Sequence, residues 1–258
     1  MPLITMSNNE ENIRDIFSQS INSFIHNCDE LAPVIANASH MIAGQLLEGG
    51  KIFCCGNGGD ASDAQYFTSC FLNRFDRERP SLPAICLSAD ATTMSAIAND
   101  QNFNDVYAKQ LKALAQAGDV LLVISTQGNS SSLVQAVQTA HEKSMFIIAI
   151  NSDNTGDIGN ILNQNDIELR IQSHSNATEN NNTTNNRNTT KNDNATVNTI
   201  GNNITDNRNI TKNNEAPSDS NAKNSDKAQY NSRARIKELS VLILNCLSEQ
   251  VDRNLFGG

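Results

Sequence analysis

Apolar residues come in two rhythms along this chain, and the rhythms alternate. Lys51-Ile-Phe-Cys-Cys55, Ala84-Ile-Cys-Leu87, Val120-Leu-Leu-Val-Ile124, Met145-Phe-Ile-Ile-Ala-Ile150 and Ile167-Glu-Leu-Arg-Ile171 are short runs bounded by turn residues, and they predict strands. The first four are nearly continuous in apolar residues, the mark of parallel strands covered on both faces. Helical patterns near 60–74, 104–116 and 129–143 lie between them. Alternating strands and helices predict an α/β fold, a five-stranded parallel sheet with helices on both faces.

A pair of helices is expected before the first strand. Ile13, Ile16, Phe17, Ile21, Phe24, Ile25 and Cys28 make the apolar face of the first. Leu31, Val34, Ile35, Ala38, Met41, Ile42 and Leu46 continue into the second, and a last helix carries Ile236, Leu239, Ile243, Leu247 and Val251. One α/β layer offers too little surface to cover so many amphipathic helices. A homo-oligomer is therefore expected.

Between the last strand and the last helix the pattern stops. His174 to Asn231 is dominated by Asn and Thr, and its larger apolar residues are Val197, Ile200, Ile204, Ile210 and Tyr230. A segment with so little to bury cannot offset about 1–2 kcal/mol per residue of backbone ordering. It is read as a long disordered insertion. The expected organisation is a domain with N-terminal helices over 1–173, the insertion over 174–231, and a helix over 232–258 that completes the domain.

Composition narrows the function. The chain has 258 residues and a formal net charge of −9. Within the Asn/Thr tract the charges balance, so the acidity belongs to the rest. Phosphate contacts need clustered Lys and Arg, so direct nucleic-acid binding is disfavoured relative to a protein or small-molecule partner. No run of about 18 apolar residues suits a membrane span. The N-terminus lacks the basic and apolar regions of a secretory signal, and a cytoplasmic protein is expected. Cys28, Cys54, Cys55, Cys70, Cys86 and Cys246 match no zinc spacing and sit in apolar runs, so buried reduced thiols are expected, with no metal and no cofactor. Nothing groups His26, His40, His141 and His174.

Two loops carry the candidate chemistry, since ligands of open parallel sheets bind at the carboxyl ends of the strands. The first strand runs into Gly56-Asn57-Gly58-Gly59. The third runs into Ser125-Thr126-Gln-Gly-Asn-Ser130-Ser-Ser132. Gly-rich backbone, hydroxyls and helix N-termini suit a phosphate. There is no P-loop Lys and no third glycine of a dinucleotide fingerprint, which disfavours a nucleotide. Tight turns and Ser caps account for the same residues.

The strings CGNGG at 55–59, RPSLPAI at 79–85, AIAND at 96–100 and GDVLLVISTQGNS at 118–130, with the final helix, resemble the SIS (sugar isomerase) family. The similar branch holds the phosphoheptose isomerases and the initiator-associating proteins that bind the replication initiator DnaA. The resemblance implies a flavodoxin-like sheet, a homotetramer, and a phosphosugar pocket in which Ser125, Thr126 and Ser130 bind phosphate. Isomerases carry a Ser after the glycine loop; here Asp60 is expected to cap the next helix and repel phosphate. Their His and Glu, four residues apart, match Tyr66 and Cys70, and a later Gln and His match Lys237 and Asn245. These four neither bind zinc nor move a proton as that set does. No catalytic residue is therefore expected, and Gly56, Asn57, Gly58, Gly59, Ser125, Thr126 and Ser130 form a vestigial phosphosugar loop. Asn73-Arg-Phe75, Val106-Tyr-Ala-Lys-Gln110 and Asp252-Arg-Asn-Leu-Phe256 favour the initiator-associating branch. That branch implies a non-enzymatic tetramer that promotes DnaA assembly at the origin, with Leu255 and Phe256 as partner-binding residues. A phosphosugar sensor and a divergent isomerase acting on sedoheptulose 7-phosphate are the alternatives.

Overall fold

The computed structural model describes residues 6–126, 129–153, 156–172 and 219–257, with backbone alone for 6–7 and 219–232. Residues 174–218 of the expected insertion lie outside the described residues. The elements run α1 (Met6–Leu47), β1 (Ile52–Gly56), α2 (Gly59–Leu72), β2 (Ala84–Cys86), α3 (Ala91–Asp100), a 3-10 turn at Phe103–Asp105, α4 (Val106–Leu114), β3 (Val120–Ser125), α5 (Ser131–Glu142), β4 (Phe146–Ser152), α6 (Gly156–Ile161), β5 (Ile167–Ile171) and α7 (Asp219–Phe256). All five expected strands are present.

The strands pair in parallel in the order β2-β1-β3-β4-β5. This is the flavodoxin-like doubly wound order, which reverses direction between β1 and β3. Successive side chains of each strand point to opposite faces, and here both faces are covered. Ile52, Cys54, Val120, Leu122, Ile124, Ile148 and Ile150 pack toward α1, α2 and α7. Phe53, Cys55, Leu121, Val123, Ile147 and Ala149 pack on the other side with Val106, Tyr107 and Leu111 of α4 and Leu133, Ala136 and Val137 of α5. Continuous apolar strands are thus the direct consequence of a three-layer arrangement.

One expectation about the helices needs correction. The expected N-terminal pair is one continuous 42-residue helix that passes through Pro33. The proline deletes one backbone donor. Packing on α7, with Leu31, Ile35, Ala38 and Ile42 buried, holds the helix together there. The helix expected from 232 lies within α7, Asp219–Phe256. Short helices α3 and α6 add to the expected set; each buries a single large apolar side chain, Ile97 and Ile158, too little to give a period. The thiols also divide. Cys54, Cys55 and Cys70 are buried, Cys86 and Cys246 are half-buried, and Cys28 is exposed on α1, because the face it shares is uncovered in the single chain.

Candidate functional site

The reversal of strand order leaves a crevice between the carboxyl ends of β1 and β3, and the two candidate loops meet there. Gly56 ends β1 under tight packing: a Cβ on it would lie 2.6 Å from the Asp60 carbonyl oxygen and 2.9 Å from its Cβ. Only a residue without a side chain lets α2 start so close to the strand. Gly58 follows with φ of 55°, a conformation that favours glycine.

Asn57 stitches the two loops together. Its Nδ2 donates to Ser130 Oγ at 2.6 Å and to Ser132 Oγ at 3.0 Å, and those two hydroxyls lie 3.1 Å apart. From below, the buried Tyr107 hydroxyl approaches the Gly56 carbonyl at 2.6 Å and Asn57 Oδ1 at 2.9 Å. Ser125 is buried at the strand end, and Ser130 precedes α5 without capping it by its side chain. Asn57 and Ser130 are thus joined directly, and Gly56, Gly58, Gly59, Ser125 and Thr126 lie on the same two loops.

Asp60 does something other than the expected cap. It sits in the first turn of α2, whose N-cap is Gly58. Its carboxylate reaches across the crevice, because the end of β3 presents a backbone donor there. Asp60 Oδ2 accepts the Thr126 backbone N–H at 3.0 Å, and the Thr126 hydroxyl lies 3.0 and 3.3 Å from its two oxygens. Burial pushes the Asp60 carboxyl above its ordinary range, while the Thr126 N–H and Lys237 pull it back.

Tyr66 and Cys70 lie on α2 and Lys237 and Asn245 on α7, and they face one another. The Tyr66 hydroxyl donates to Asn245 Oδ1 at 2.7 Å. Lys237 Nζ donates to the Gly59 carbonyl at 2.7 Å and to Asp63, and stands 3.6 Å from Asp60. Burial raises the Cys70 thiol. An ammonium, a phenol, an amide and a protonated thiol do not fit a zinc ion, which takes thiolates, imidazoles and carboxylates. Among the described residues no group of three or more His, Cys, Asp or Glu side chains converges.

Leu255 and Phe256 make their contacts elsewhere, at the far end of α7. Leu255 packs against the core, while Phe256 is exposed. The Phe256 and Gly257 carbonyls accept from Arg77. Nearby, Arg79 is bound to Asp252 at 2.7 Å and to the carbonyls of Cys70 and Phe71. Asp63 and Arg77 were not singled out in the sequence, and Arg79 and Tyr107 stood only inside strings quoted for the resemblance, with no role assigned. Asp63 had a signal: three residues after Asp60, it shares that helix face.

The fold and the two loops at its strand ends define an α/β domain of the doubly wound class, and the comparisons give its family. The chain belongs to the SIS-domain family, whose model matches residues 16–152. A phosphoheptose isomerase of Chromohalobacter salexigens is 48% identical over 161 residues, 62% of this chain and 82% of that protein. The DnaA initiator-associating protein DiaA of Yersinia enterocolitica is 46% identical over 167 residues, 65% of this chain and 85% of that protein. A solved phosphoheptose isomerase from Francisella tularensis superposes with a TM-score of 0.69 at 31% identity, covering 95% of this chain and 98% of that one. Overall identity barely separates the two branches. Individual residues must do so.

Proposed function

We propose that this protein is a non-enzymatic adaptor that binds the replication initiator DnaA as a homotetramer in the cytoplasm and promotes its assembly at the origin. The observation that carries the reading is that Tyr66 bonds to Asn245 and Lys237 to Asp63. The resemblance to isomerases puts metal ligands and proton carriers at Tyr66, Cys70, Lys237 and Asn245. In this chain three of them are engaged in neutral or ion-paired contacts, and Cys70 is held as a thiol. None supplies the imidazole or carboxylate that such an isomerase set uses to move a proton.

The surface supports the same reading. Ile13, Ile16, Phe17, Ile21 and Ile25 are exposed along α1. They continue into a cavity of about 620 Å³ between α1 and α7, lined by Phe24, Leu31, Ile35, Leu239, Leu242 and Ile243. An apolar stripe of this length is costly in water, and burying it between copies gives the tetramer. Four copies of a weak contact would then hold DnaA by avidity. Phe256, exposed at the end of α7, is the contact we assign to DnaA, with Leu255 as its support. The net charge of −9 keeps the adaptor off DNA phosphates.

The test pairs two measurements on the full chain. Immobilised DnaA should capture the protein. Sedoheptulose 7-phosphate should show no turnover, with or without added zinc. Turnover without DnaA capture would transfer the protein to the isomerases.

A further inference from the structure

Four groups from three parts of the chain converge at the β3 end of the crevice. Thr126 offers a backbone N–H and a hydroxyl, and both are taken by the Asp60 carboxylate. Lys237, brought in by α7, stands 3.6 Å from that carboxylate and is held in place by Asp63 and the Gly59 carbonyl. An amide donor, a hydroxyl and an ammonium around one anion make a phosphate-binding arrangement. Here the anion belongs to the protein.

We propose that Asp60 is the built-in occupant of this anion seat, and that Lys237 is the cation that holds a phosphate monoester there once the carboxylate is removed. A phosphate and the Asp60 carboxylate need the same two Thr126 donors and cannot share them. With both anions present, they would also repel at contact distance. Lys237 binds phosphate as a point charge and needs no particular fork geometry. Its side chain is 38% exposed and its neighbour Asp60 only 13%, so the ammonium is reachable while the carboxylate fills the back of the seat. Burial already disfavours the charged form of Asp60. The inference rests on reading the two loops as a phosphosugar seat, and not on DnaA.

The experiment uses the full chain as parent, Asp60→Ser, Asp60→Asn and Asp60→Ser/Lys237→Gln. Thermal shift and calorimetry are read with inorganic phosphate and with sedoheptulose 7-phosphate. The parent should show no shift at millimolar ligand. Asp60→Ser should gain binding, seen as a rise in Tm with ligand concentration. Adding Lys237→Gln should weaken that binding by about tenfold to a hundredfold, the factor a hydrogen bond to a charged group is worth. Should the Ser variant not fold, the near-isosteric Asp60→Asn must still bind phosphate better than the parent. Equal binding by parent and variants, or binding indifferent to Lys237→Gln, would overturn the proposal. DnaA capture on the same samples separates the two readings. A parent that fails to bind DnaA sinks the adaptor and leaves the seat standing, while a folded Asp60 variant that ignores phosphate sinks the seat alone.

Discussion

Asp60 shows how much one carboxylate changes at a strand end. Its raised pKa means that the folded state holds the proton more tightly than the unfolded chain does. Ionisation at neutral pH is therefore a cost to folding, and the cost disappears as pH falls through the raised pKa toward the ordinary carboxyl range. Asp60→Asn keeps the size and removes the charge. Its stability relative to the parent should be greatest at neutral pH and should decline toward acid, as read from denaturant midpoints; a difference flat across that range would contradict the assignment. Tyr107 makes a second residue-scale prediction. Tyr107→Phe removes the single hydroxyl proton that the Gly56 carbonyl and Asn57 Oδ1 both approach, and should cost about 1–3 kcal/mol, the price of a buried group left unsatisfied.

At the scale of elements, α7 is tied to the rest by an ion pair out of water. Arg79 and Asp252 are 2% and 4% exposed, and Arg79 also caps the carbonyls at the end of α2. Removing one partner leaves a buried charge, so Arg79→Ala should destabilise the fold by about 3–5 kcal/mol and lower Tm by roughly 10 °C. The strands of this architecture were legible because two covered faces demand continuous apolar runs. The candidate loops were legible because glycines and hydroxyls cluster in sequence where strands end. What was not legible is long-range. Asp60 meets Thr126, and Lys237 meets Asp63, across stretches that no local pattern joins. The unbroken α1 was missed for a related reason: its apolar positions up to Cys28 and from Leu31 read as two separate faces, and only the packing of Leu31, Ile35 and Ala38 reveals a helix that continues.

For the whole molecule, the proposed assembly is tested at the uncovered face of α1. At about 1.5 Å per residue, a 42-residue helix extends roughly 63 Å. Its N-terminal half carries Ile13, Ile16, Phe17 and Ile21 into solvent. Those side chains contribute little to the single chain, so Phe17→Asp with Ile21→Asp should dissociate the oligomer without unfolding the domain. Light scattering coupled to size exclusion would then give one-chain mass with unchanged far-UV ellipticity. An oligomer that survives both charges would move the interface off α1.

The adaptor role is tested most directly by DnaA capture with a single substitution at the tip of α7. Leu255 packs on the core, so its loss mixes folding with binding, whereas Phe256 is exposed and its truncation leaves the body intact. Immobilised DnaA should retain the parent, and Phe256→Ala should lose most of that retention while keeping its oligomeric mass and Tm. A parent that does not bind DnaA at all would contradict the account.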